Sequence, residues 1–203
     1  MFDRLDAAFA LATDRFVLRR PRMDDAQVLA ALANDRTIAE NTATIPHPYG
    51  LKDAEDYIQK AQVTTTAAPF VVIRRDDQAL IGAGAIALRP QDEAPEIGYW
   101  IGEPYRGQGA ATETAHALVD LAFEQLALTR LVARCRVTNV ASRNVLEKCG
   151  FQWCGTGLEG SVGFRGAFPV DRFRLERGVW ASLRAWRAAR TGAYDEALLV
   201  AAK

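Results

Sequence analysis

Glu96-Ile-Gly-Tyr-Trp-Ile-Gly-Glu-Pro-Tyr-Arg-Gly-Gln-Gly-Ala-Ala-Thr-Glu113 is the stretch on which the reading of this chain turns. Ile97, Tyr99 and Ile101 alternate with Glu96, Gly98 and Trp100, the period-two pattern of a strand. Gly107 and Gly109 then free the backbone for a tight turn just before a strongly helical run. Such a turn directs several backbone N–H groups, at the positive end of a helix dipole, toward a phosphate. A P-loop needs Lys and then Ser or Thr after its last glycine, where this chain has Ala110-Ala111. A dinucleotide fingerprint needs a third small residue at 112, which is Thr112.

Working outward, the chain of 203 residues is long enough to bury one good core, and 49% hydrophobic residues argue against disorder. Lys+Arg and Asp+Glu balance at 25 each, and no long run of one sign occurs. That balance speaks against a general nucleic-acid binder and against a polybasic membrane anchor. Cys135, Cys149 and Cys154 lack metal-ligand spacing and read as free thiols of a reducing compartment, so no metal is expected. The N-terminus has neither a basic region nor an apolar core, and no apolar run approaches the ~20 residues of a membrane span. The expectation is a cytoplasmic protein, a monomer or homodimer.

In chain order, residues 1–14 are expected to form an arm or a short helix, followed by a strand from Arg15 to Arg20 that Pro21 stops. Asp24 or Asp25 can cap a helix over Ala26–Asn34, and Asp53 one running to about Ala61. Two prolines and a glycine make 42–50 a loop. Pro69–Arg74 and Leu80–Leu88 read as a hairpin; Gly82 and Gly84 mark a close backbone approach, a bulge or tight packing. The central strand and a helix over about 108–126 follow, then a strand at Leu131–Val137 and a helix at Asn139–Cys149 ended by Gly150. Two more strands are expected near Phe151–Gly155 and Phe168–Arg174, with a glycine-rich loop at 156–167 between them. A helical tail occupies 178–203, with Trp180, Leu183 and Trp186 at helical spacing. With no repeat or long linker, residues 1–203 read as one α/β (α+β) domain.

Arg106-Gly107-Gln108-Gly109-Ala110-Ala111 resembles the pyrophosphate loop of the GNAT superfamily of acetyl-CoA-dependent N-acetyltransferases. One strand later, Asn139-Val-Ala-Ser142-Arg-Asn144-Val145-Leu146-Glu147-Lys148-Cys149-Gly150-Phe151 is similar to a second stretch of that family, above all of its RimJ/RimL branch. Cys149 stands where that pattern more often has Leu or Ala. The resemblance covers about residues 14–180 and implies a GNAT-like fold: a mostly antiparallel, mixed sheet of about seven strands, splayed between the fourth and fifth.

The same resemblance implies acetyl-CoA as acetyl donor and a primary amine as acceptor. Backbone amides of Gly107, Gln108, Gly109, Ala110 and Ala111 would hold the pyrophosphate, with Arg106 adding a charge-assisted contact. Tyr99 and Ile101 would pair with the pantetheine arm, Asn139 would reach its amide, and an amide near Trp100 would face the thioester oxygen. Lys148 or Arg143 would meet the ribose 3′-phosphate. Ser142, one helical turn after Asn139, is the candidate acid for the leaving thiolate. Glu96 is the first candidate base and His47 the second. His47, Tyr49 and Phe164 are candidate acceptor-side residues. A protein or peptide N-terminus is the expected acceptor, and a small amine the alternative. A non-catalytic acyl-CoA-binding sensor is the reading from another class.

Overall fold

The computed structural model describes Phe2, Leu5 and residues 8–89, 94–160 and 166–191. An eight-stranded sheet runs through it in the order β1-β2-β3-β4-β5-β6-β8-β7. These strands are β1 (Ala10–Ala12), β2 (Phe16–Arg19), β3 (Ala67–Arg74), β4 (Leu80–Ala87), β5 (Glu96–Ile101), β6 (Arg130–Arg136), β7 (Gln152–Gly160) and β8 (Ala167–Glu176). The helices are α1 (Ala26–Ala33), α2 (Arg36–Asn41), α3 (Leu51–Val63), α4 (Ala110–Asp120), α5 (Val140–Lys148) and α6 (Arg177–Thr191). Every neighbouring pair is antiparallel except β5 and β6, which are parallel and share the single register pair Glu96↔Val132. The sheet therefore opens between those two strands, the fourth and fifth of the sequence reading.

Alternation along the strands divides the helices between two faces. Phe70, Val72, Ile97 and Ile101 turn to the larger core, where Leu118 of α4, Leu146 of α5 and Trp180 of α6 meet them. Val71, Ile73 and Leu80 turn the other way, onto Leu29 of α1 and Ile58 of α3, with Trp100 packed at the margin. Beyond the opening, Leu131, Ala133 and Cys135 of β6 are buried in the larger core while Arg130, Arg134 and Arg136 occupy the opposite face.

Several expectations change. Eight strands replace about seven because part of the N-terminal arm is β1, paired to β2, and the arm's Phe2 and Leu5 are buried in the larger core. The expected loop 156–167 is strand as far as Gly160 and again from Ala167, since β7 and β8 pair along their length. Residues 36–41, for which the sequence carries no clear periodic signal, form α2, capped by Asp35, whose Oδ1 accepts the Thr37 N–H at 2.7 Å. Asp53 is the third residue of its helix rather than the cap; its Oδ2 accepts the Gly50 N–H at 2.8 Å. Asp25 precedes α1 but spends its carboxylate on Arg19, at 2.7 and 2.8 Å, and on the Arg22 N–H. The tail is helical through Thr191, and residues 192–203 lie outside the described residues. No helix among the described residues is long and apolar enough to cross a membrane.

Candidate functional site

The glycine turn sits where the sheet opens. β5 ends at Ile101, one 3-10 turn covers Glu103–Tyr105, and α4 starts at Ala110. Gly107 and Gly109 have φ of 75° and 80°, values that penalise any side chain, and Gly109 is the N-cap of α4. The first N–H groups of a helix have no intrahelical acceptor, and the turn that leads into them, 106–109, is exposed. Arg15, just ahead of β2, braces the turn: Nη1 donates to the Gln108 carbonyl at 2.8 Å and Nε to Glu113 at 2.7 Å.

Arg106 does not point into this cradle. Its Nε donates to the Ile101 carbonyl at 2.9 Å and its Nη2 to Asp35 at 2.5 Å. The side chain read as a phosphate contact thus ties the turn to the cap of α2. Arg143, read as a ribose-phosphate contact, instead pairs with buried Asp171. Asp171 also accepts from Trp153 Nε1 at 2.9 Å and Thr156 Oγ1 at 3.2 Å. Lys148 is exposed and shares an open groove with Gly109, Thr112 and His116.

Within the opening, Ser142 Oγ lies 3.2 Å from the Tyr99 hydroxyl. Asn139, the residue expected to reach a pantetheine amide, caps α5 by accepting the Ser142 N–H at 3.0 Å. Burial raises the Tyr99 phenol well above its ordinary range, so it stays protonated and can donate. Burial also pushes the neighbouring Cys135 thiol up to about 11, leaving it a protonated, weakly nucleophilic group. Gly98 has open space on its side of β5, and Trp100 is half-buried against the smaller core.

Glu96 marks the closed end of the opening, where it belongs to a ring of four charges. Its Oε2 lies 2.9 Å from Arg89 and 3.0 Å from Arg134, and both arginines reach Glu159 of β7, at 3.6 and 3.2 Å. Two guanidinium groups, at 2.9 and 3.0 Å, thus face this one carboxylate oxygen. His47 is exposed, ahead of a cis bond to Pro48. Tyr49 is half-buried against the smaller core, its N–H bonded to Asn34 and its phenol pushed up to about 12 by burial. Phe164 lies outside the described residues. Arg89, Arg134, Glu159 and the Tyr99 hydroxyl were not singled out from sequence. The alternation of Arg130, Arg134 and Arg136 was the available signal, since it puts three arginines on one face of a strand.

Among the described residues no group of three or more His, Cys, Asp or Glu side chains could hold a metal ion. The family profile described as "Acetyltransferase (GNAT) domain" matches residues 15–152. The uncharacterized N-acetyltransferase YoaA of Bacillus subtilis is 32% identical over 153 residues, 70% of this chain and 82% of that protein. The ribosomal-protein-serine acetyltransferase of Escherichia coli is 34% identical over 86 residues, 42% of this chain and 47% of that one. Spermidine N-acetyltransferase from Vibrio cholerae, solved with CoA and spermine, superposes with a TM-score of 0.71 at 21% identity, covering 83% of this chain and 99% of its own. That last likeness concerns the fold.

Proposed function

The chain belongs to the GNAT acetyltransferase family, as an N-acetyltransferase of its RimJ/RimL-like branch, and from that premise we propose that it acetylates the α-amine of a protein or peptide N-terminus. One observation carries the acceptor reading. Beside the opening, the sheet face of β6 and β8 presents Arg134, Arg136, Arg172 and Arg174, half-buried or exposed, rather than an enclosed acidic pocket. A polyamine, all positive charge, is poorly served there; an extended peptide finds an open surface. The reading takes residues 1–203 as one catalytic domain, supported by a single sheet with strands from residue 10 to residue 176.

The residues fit acetyl-CoA as donor. The Gly107–Ala111 turn and the α4 N-terminus suit a diphosphate. Beyond Glu96 the edge of β5 facing β6 has no strand partner among the described pairs, which suits an extended amide-bearing arm. When bound, acetyl-CoA supplies a thioester carbon open to attack by an amine. The Ser142 hydroxyl, itself 3.2 Å from the Tyr99 hydroxyl, is the donor for a departing thiolate, and backbone N–H groups near Trp100 offer charge stabilisation at the acetyl oxygen. On the other side, Glu96 and Glu159 supply two carboxylates in a ring with Arg89 and Arg134. An incoming ammonium can replace one guanidinium between them and lose its proton to a carboxylate, directly or through water.

The test is release of CoA thiol from acetyl-CoA against N-terminal peptides, lysine peptides, polyamines and aminoglycosides. The expected result is turnover with free N-terminal peptides and none with the same peptides blocked at the N-terminus. A preference for polyamines would overturn the acceptor assignment. Binding of acetyl-CoA without turnover of any amine would favour the sensor reading.

A further inference from the structure

The open face of β6 and β8 contains a charge arrangement that folding alone does not favour. Arg134 and Arg172 are a direct register pair of the antiparallel β6–β8 ladder, so their side chains rise side by side on one face. Like charges directly opposite one another destabilise a sheet. Arg134 is balanced by Glu96 and Glu159, and Arg174, two residues along β8, lies 3.3 Å from Glu176. Arg136 stacks its guanidinium over the Phe168 ring at 4.1 Å. Arg172 is exposed, and among the described residues no carboxylate pairs with it.

Its position is nonetheless defined. A Cβ built on Gly157 of β7 would come within 2.4 Å of Arg172 Nη2, so the guanidinium lies flat against a strand position that has no side chain. Gly155, opposite Arg172 in the ladder, has nothing within 4 Å of its own Cβ position, which leaves space beside the cation. An arginine laid on glycine backbone, next to a second arginine, with one planar edge open, suits a carboxylate in a bidentate contact.

We propose that Arg172 recognises an acidic side chain near the start of the acceptor, so that the enzyme prefers peptides with Asp or Glu a few residues from the reacting amine. This rests on the N-terminal acceptor reading given above. Neighbouring strands are spaced about 4.8 Å apart and an extended peptide advances about 3.3 Å per residue. A chain leaving the opening across β6 therefore brings its second or third residue over Arg172.

The experiment compares kcat/KM for three N-terminal peptides that differ only at positions 2 and 3, carrying Asp, Ala or Lys there, in wild-type, Arg172→Gln and Arg172→Glu protein. In the wild type the acidic peptide should be preferred over the neutral one by roughly two- to fivefold, mainly through KM, with the advantage shrinking as salt rises. Arg172→Gln should bring that ratio close to one, and Arg172→Glu should invert it toward the lysine peptide, an inversion that mere loss of structure cannot produce. Equal kcat/KM for the three peptides in the wild type would overturn this inference and leave N-terminal acetylation standing. Preference for polyamines over every peptide would overturn both.

Discussion

Arg106 and Asp35, 71 residues apart, meet at 2.5 Å, and the same guanidinium holds the carbonyl of Ile101 at 2.9 Å. One side chain thereby fixes the end of β5, the start of the glycine turn and the cap of α2. The helix α2 and the glycine turn are joined through it.

If the tie positions the turn, Asp35→Asn and Arg106→Gln should act alike. Each should raise KM for acetyl-CoA about three- to tenfold with a smaller fall in kcat. The double variant should be no worse than the poorer single one, a coupling of about 1 kcal/mol in a double-mutant cycle. Tighter CoA binding in Asp35→Asn would show the opposite, an arginine released to a phosphate. Calorimetric titration of CoA into the four proteins separates the two.

The contact between Tyr99 and Ser142 predicts shared rather than independent effects. Ser142→Ala and Tyr99→Phe should each lower kcat roughly tenfold, because a thiol of pKa ~8.5 is already a fair leaving group. The pair of substitutions should cost little more than either alone, since both remove one chain of donors. With burial keeping the Tyr99 phenol protonated, wild-type kcat should show no basic limb from this group below pH 9. Stopped-flow measurement of kcat over pH 6–9 checks it.

Glu96 and Glu159 share two arginines, so removing either leaves a partly buried cation short of an acid. Glu96→Gln should lower stability by about 1–3 kcal/mol, and Glu159→Gln, at the more exposed corner, by less. Thermal unfolding compares them. The acid limb of the kcat/KM profile should vanish in whichever variant has lost the carboxylate that takes the acceptor proton.

Gly82 of β4 lies against β5 so closely that an added Cβ would fall 2.3 Å from the Trp100 carbonyl oxygen. Close backbone approach and a strand irregularity both hold here, since Val72 of β3 pairs with Gly82 while Ile73 pairs with Leu80, which leaves Ile81 beside this glycine without a register partner in β3. Gly82→Ala should destabilise by about 2–3 kcal/mol and weaken acetyl-CoA binding as well, because β5 must shift. A normal melting temperature in this variant would contradict the packing.

His116 of α4 contacts the Arg187 guanidinium of α6, at 3.3 and 3.4 Å. Burial, reinforced by Arg187, lowers its pKa below the ordinary histidine range. The unfolded chain therefore takes up the proton first, and stability present above about pH 6.5 is lost as pH falls below it. Replacing His116 with Gln should flatten that loss in urea titrations between pH 7.5 and 5.5.

Much of this protein is legible in short stretches of its sequence. The strand, turn and helix of 96–113 and the capped helix of 139–150 are local decisions of backbone and periodicity: alternation at Ile97, Tyr99 and Ile101, positive φ at Gly107 and Gly109, a side-chain cap from Asn139. Those signals lie within a few residues of the structure they specify, so spacing alone conveys them, and the GNAT family followed from them. The partners of the charges were not legible. The family pattern points Arg106 toward a phosphate, yet it meets Asp35; it points Arg143 toward a ribose phosphate, yet that side chain meets Asp171; and Glu159, which no motif marks, completes a ring with Glu96. Each outcome depends on which strands lie side by side and in which register, with β8 inserted between β6 and β7. An arginine is long and its charge acts in any direction, so nothing in its neighbouring residues says which acid it will find. Only the assembled sheet decides that.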